Sequence, residues 1–76
     1  MADVLNWYRS YVRVVETGSF SAVAAELQTS QPSISRQVAA LERHLGTLLL
    51  QRSTRALSVT EDGRAFYAQA LRVLAA

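Results

Sequence analysis

At 76 residues, half of them apolar and 18% charged, the chain is one small folded domain at most and too apolar for a disordered tail. No run approaches the ~18 apolar residues of a membrane span, and Met1-Ala2-Asp3 begins no signal peptide. The absence of cysteine excludes disulfides and cysteine-based metal sites, and a cytoplasmic location is expected; the net charge of +2 excludes nothing by itself.

Residues 3–16 have the spacing of an amphipathic helix, with Leu5, Tyr8, Tyr11, Val12 and Val15 on one face and Arg9, Arg13 and Glu16 off it. Trp7 and the two tyrosines read as helix-contact residues rather than as a base-stacking platform. Gly18 stops this helix, Phe20 plugs the next corner, and Ser19 or Ser21 caps the second helix. Residues 21–27 form that short helix, rich in alanine, which lets a neighbouring helix cross closely. Gln28-Thr29-Ser30 connects it to the next element without the glycine often found at such a turn. Two helices joined by so few polar residues match a helix-turn-helix.

The element around which the chain is organised is the helix expected over 31–45. Ser30 is its N-cap, Pro32 sits where a missing N–H costs nothing, and Gly46 provides the left-handed stop. At about 100° per residue, Val38, Leu41 and Leu45 fall within roughly 40° of Ile34 and form a core stripe. The opposite face carries Arg36 and Arg43 among Pro32, Ser33, Ala39 and Ala40. Arginines set among very small residues let a large partner approach the backbone closely, as the DNA major groove does.

Leu48-Leu49-Leu50 and Ala56-Leu57-Ser58-Val59 suggest two short strands closed by a turn, with Arg52 and Arg55 at or near its tip. Thr60 caps a last helix, whose first turn holds Glu61 and Asp62 at the positive end of the dipole. Its apolar stripe is Phe66, Tyr67, Ala70, Val73 and Leu74, longer than so small a core needs and expected to be buried against a second copy. The stripe is still running at Ala75-Ala76, so a further domain is expected beyond a linker. Residues 1–59 are accordingly read as the binding domain and 60–76 as the start of a linker and dimerisation helix.

Charge placement supports a nucleic-acid partner. Residues 28–58 hold Arg36, Arg43, Arg52 and Arg55 against Glu42, a net of +3, while the remainder nets −1. All eight basic residues are arginine, whose planar guanidinium suits phosphate and guanine. Nothing points to an enzyme, a cofactor or a metal: the single histidine, His44, has no ligand partners, and neither a nucleophile elbow nor a glycine-rich phosphate loop occurs. A winged helix built for docking another protein should lack this arginine cluster.

Taken in order, Gly18-Ser19-Phe20, Ala24-Ala25 with Leu27, Ser30-Gln31-Pro32 with Ser35-Arg36-Gln37, Leu41-Glu42 with Leu45-Gly46, then Leu49, Arg52, Arg55 and Thr60-Glu61 with Gly63 resemble the N-terminal region of LysR-type transcriptional regulators. The likeness covers roughly Leu5 to Leu74. It favours that family over molybdate-responsive and MarR-like winged-helix readers. Departures are confined to packing positions: Tyr8, Tyr11 and Leu50. The resemblance implies a mainly α winged helix-turn-helix, a three-helix core with a hairpin wing, followed by a linker helix through which the protein forms a homodimer. It further implies a bacterial, nucleoid-associated regulator that binds an interrupted inverted repeat of double-stranded DNA. An effector-binding domain absent from these residues would take the small molecule and support higher oligomers.

On that fold the start of the 31–45 helix enters the major groove. Gln31 can pair with adenine, Pro32 can touch a thymine methyl, and Ser33 and Ser35 can serve bases or phosphates. Arg36 can read guanine or grip phosphate, the latter favoured because its position faces the groove wall as well as its floor. Arg43 is expected on phosphate or simply solvated, and Arg52 and Arg55 on the flanking backbone or minor groove. Ser21, Thr29 and Ser30 stand at helix starts, where a cap or a phosphate contact is expected.

Overall fold

A computed structural model of the chain describes residues 4–52 and 57–75. Four helices and one hairpin succeed each other as α1 (Val4–Thr17), α2 (Phe20–Glu26), α3 (Gln31–Leu45), β1 (Leu50–Arg52), β2 (Leu57–Val59) and α4 (Glu61–Ala75). The strands are antiparallel, with Leu50 opposite Val59 and Arg52 opposite Leu57. The tip expected to join them, including Arg55, lies outside the described residues. This is the mainly helical, winged architecture that the hydrophobic periodicity and turn signals imply.

Helix α1 is the central post: α2, α3 and α4 all pack on it, and α2 also packs on α3. A helix with three neighbours buries more than one stripe. Ser10 and Val14 are therefore buried beside Tyr11 and Val12, while Leu5, in the first turn, is 52% exposed. That corrects the narrower stripe expected from spacing. Tyr11, Val14, Val23, Ile34, Val38, Leu41, Leu49 and Ala70 are completely enclosed. Phe66 closes the cluster between the rings of Tyr8 and Tyr11, 5.0 and 5.7 Å away between centroids.

Local signals account for the helix ends. Ser19, not Ser21, caps α2, accepting from the Ala22 N–H at 3.1 Å. Ser30 caps α3 by accepting from Ser33 N–H at 3.2 Å, Pro32 stands in the first turn, and Gly46 ends the helix at φ 73°. The turn between α2 and α3 solves its missing glycine with Gln28, held at φ 57°. Thr29 N–H bonds to the Ala24 carbonyl and Gln28 N–H to that of Ala25, which closes α2 as a left-handed cap normally does.

The hairpin is tied to the helices before its ladder begins. Leu49 and Leu50 N–H both donate to Glu42 Oε2, at 2.9 and 3.2 Å. The strand thus starts two residues later than the apolar run suggests, and Leu48 is left 63% exposed. Thr60 Oγ1 accepts from Gly63 N–H to cap α4 and donates to the Leu48 carbonyl. Tyr11 hydroxyl donates to the Gly63 carbonyl at 2.8 Å; burial, reinforced by the charge of Glu42, pushes its pKa up to about 12.

A charge network joins α1, α2 and α4. Arg13 grips both carboxylate oxygens of Glu26 and one of Glu16, and Tyr67 hydroxyl donates to the other oxygen of Glu16 at 2.6 Å. The Tyr67 hydroxyl and then the Arg13 guanidinium hold Glu16 below the usual carboxylate range, and Arg13 does the same for Glu26. Glu16 in turn raises Tyr67.

Candidate nucleic-acid interface

The core stripe of α3 fixes which face the protein presents. Ile34, Val38 and Leu41 are fully enclosed, which turns the far side of the helix outward; Leu45, placed in that stripe by its spacing, is instead exposed at the helix end. Gln31, Pro32, Arg36 and Arg43 are exposed, Ser33, Ser35, Ala39 and Ala40 half-buried. The sole carboxylate of α3, Glu42, is turned toward the backbone of Leu49 and Leu50. Its charge therefore does not oppose an anion approaching the arginines.

At the start of α3 the two helices of the turn meet. Ser21 hydroxyl donates to Gln31 Oε1 at 3.2 Å, which ties the Gln31 amide to the start of α2. Thr29 and Ser30 are exposed beside it. The helix-start positions thus divide: Ser30 works as a cap, whereas Ser21 and Thr29 cap nothing among the described residues. Behind the face, Ser10 hydroxyl donates to Gln37 Oε1 at 2.7 Å and Gln37 Nε2 reaches Ser33 Oγ at 3.4 Å. Ser33 is thereby braced from α1.

Arg52 is exposed but not free. Its guanidinium carbon lies 4.3 Å from the centre of the Phe20 ring, and Nη1 donates to Ser35 Oγ at 2.9 Å. Neither contact is signalled by sequence spacing; both arise because β1 ends beside the starts of α2 and α3. Arg43 stands two turns beyond Arg36. Arg55 lies outside the described residues.

The expected dimer face divides between inside and outside. Phe66 and Ala70 are enclosed in the chain's own core, where the Phe66 ring packs against those of Tyr8 and Tyr11 on α1. Tyr67 is engaged by Glu16. Val73 is exposed, Leu74 is half-buried, and Leu71, outside the stripe assigned from spacing, is exposed on the same helix.

Among the described residues no group of three or more His, Cys, Asp or Glu is placed to hold a metal ion. Nor is any described helix long and apolar enough to cross a membrane.

Comparison with known proteins gives one consistent likeness. The family model for bacterial regulatory helix-turn-helix proteins of the lysR family matches residues 5–64. The chain is 44% identical over 71 residues to the HTH-type transcriptional regulator BudR of Raoultella terrigena, covering 93% of this chain and 24% of that protein. It is 46% identical over 72 residues to the regulator BlaA of Streptomyces cacaoi, covering 95% of this chain and 22% of that one. The crystal structure of a complex of the CbnR DNA-binding domain with DNA superposes with a TM-score of 0.87 at 41% identity, over 92% of this chain and 80% of that one. The BenM DNA-binding domain on catB site 1 DNA matches with the same score and identity, over 93% and 80%. The chain spans about a quarter of the length of the curated relatives.

Proposed function

Because the chain belongs to the lysR family of bacterial regulatory helix-turn-helix proteins, we propose that it binds double-stranded DNA in a sequence-dependent way, with the first two turns of α3 in the major groove. The observation that carries this is the sidedness of α3. Gln31, Pro32 and Arg36 lie open on one side while Ile34, Val38 and Leu41 are sealed on the other. A long, rigid, cationic ridge edged by small residues is what a groove about 12 Å wide admits.

In this reading Gln31, its amide tied to Ser21, pairs with an adenine edge, and Pro32 packs on a thymine methyl. Ser33 and Ser35 serve bases or phosphates. Arg36 and Arg43 hold phosphates, and the hydroxyls of Ser21, Thr29 and Ser30 lie close enough to the helix start to add contacts to the same strand. On sequence pattern alone, Arg55 takes the flanking backbone or minor groove. The target is an interrupted inverted repeat, read by a homodimer in which Leu71, Val73 and Leu74 of α4 supply the apolar contact left over once Phe66 and Ala70 are enclosed. A longer protein would add an effector-binding domain, higher oligomers and the regulatory output, acting in the cytoplasm.

The test is selection of bound duplexes from a randomised pool, then titration of the enriched sequences at several salt concentrations. Enrichment of a two-fold symmetric pattern, with an affinity that falls steeply with salt, is expected. Equal retention of all sequences would reject the sequence-reading role.

A further inference from the structure

Among the described arginines of the basic segment, Arg52 is the one whose guanidinium is committed to partners within the chain. It sits at the end of β1, close enough over Phe20 for its guanidinium carbon to lie 4.3 Å from the ring centre, and it donates to Ser35 Oγ at 2.9 Å. Phe20 opens α2 and Ser35 lies in the second turn of α3. Side chains from three successive elements, α2, α3 and β1, are therefore joined by one planar cation. A planar guanidinium can lie over the ring and donate an N–H to Ser35 at the same time, whereas an ammonium, though also a donor and a cation, is a compact point charge poorly suited to span both partners.

The hydrogen bond also changes what Ser35 can do. A serine oxygen that accepts from a cation is polarised, so its O–H becomes a better donor and its oxygen a poorer acceptor. Resting on the DNA-binding reading, we infer that Arg52 is a positioning residue rather than a phosphate contact, locking the wing strand against α3 and fixing Ser35 as a hydrogen-bond donor. Ser35 would then accept as partner a phosphate oxygen, or the acceptor atoms of guanine, adenine N7 or thymine O4. It would disfavour the amino group of cytosine, which needs an acceptor.

The experiment compares the 76-residue chain with R52K, R52Q, S35A, the double variant R52K/S35A and F20L on duplexes enriched from a randomised pool, with thermal unfolding of each recorded alongside. Expected for R52K, which keeps the charge, is a loss of roughly fivefold or more in affinity; R52Q, which removes the charge, should leave the slope against salt unchanged, since no phosphate contact is lost. Base preference at the position facing Ser35 should broaden toward cytosine. S35A should show the same broadening, and the double variant should lose less than the sum of the two, because both changes remove the Arg52–Ser35 hydrogen bond. F20L keeps the apolar plug and removes the aromatic face, so it should reproduce the broadening of R52K if that variant folds poorly. R52K that binds like wild type, a salt slope reduced by about one unit in R52Q, or losses that add in full in the double variant would each overturn the inference. So would variants that are merely less stable while the folded fraction keeps its base preference. A wild-type chain that binds no duplex would reject the DNA-binding reading and this inference with it; every other negative result rejects the inference alone.

Discussion

Replacing Gly63 by alanine probes the joint on which the wing's placement depends. Gly63 lies in the first turn of α4, where that helix, the hairpin and α1 come together. A Cβ built on its backbone collides with the carbonyl oxygen of Leu49 and lies 2.8 Å from both the Tyr11 hydroxyl and Val59 Cγ1. The first of these is backbone, held in turn by the Thr60 N–H at 3.0 Å, so it cannot swing aside. In an open helix interior alanine would gain about 1 kcal/mol over glycine. Here that gain meets an overpacking cost of about 1–3 kcal/mol, and a forced shift would also strain the Tyr11–Gly63 hydrogen bond, worth about 1 kcal/mol. The expected outcome is net destabilisation by about 1–3 kcal/mol, read as a lower urea midpoint with an unchanged m value. In a domain of this size each kcal/mol corresponds to about 4–8 °C in Tm. DNA affinity should fall with it, because the hairpin must move away from α4. A variant as stable as the parent would refute the tight joint and the reasoning built on it.

At the turn of the helix-turn-helix, Gln28 at φ 57° should tolerate glycine with little or no loss, whereas Gln28→Ile should cost about 1 kcal/mol or more in chemical denaturation, β-branching being disfavoured in the left-handed region. On the acid side, Glu16 and Glu26 ionise below their ordinary range when folded, so the stability they contribute is present above about pH 4.5 and is lost as pH falls through their depressed values. Arg13→Gln should therefore flatten the acid limb of a stability–pH curve while lowering the neutral plateau. On the alkaline side, the Tyr11 value of about 12 exceeds its unfolded value near 10, so its contribution holds below about pH 10 and is lost as pH rises toward 12. Tyr11→Phe should flatten that limb and cost about 1 kcal/mol at neutral pH through the lost hydrogen bond to the Gly63 carbonyl. Arg36→Gln should weaken all duplexes alike and reduce the dependence of log affinity on log salt by about one unit; an unchanged slope would mean that Arg36 touches no phosphate.

Helix α3 is the part of the molecule most legible in the sequence, because its signals are local. Ser30, Pro32 and Gly46 act within one turn of the ends they mark, and Ile34, Val38 and Leu41 recur at the helical period. The features that were not legible depend on where distant segments meet. Arg52 and Ser35 are 17 residues apart, Arg13 and Glu26 13 apart, and nothing in their spacing says that they pair. Periodicity also says which residues share a face but not how many neighbours a helix has. That is why the stripe assigned to α1 omits Ser10 and Val14, and why the stripe of α4, expected as a dimer face, lends Phe66 and Ala70 to the chain's own core. The turn without glycine shows a third limit: glutamine can occupy a left-handed position when the Ala24 and Ala25 carbonyls are there to receive N–H groups from the turn.

The reading of bases by the open start of α3 is tested most directly by Gln31→Ala, measured against a selected duplex and its single-base variants. Discrimination should fall by about 1–3 kcal/mol at one or two base pairs in each half-site and stay unchanged elsewhere. Uniform weakening at every position, with the base preferences intact, would contradict it.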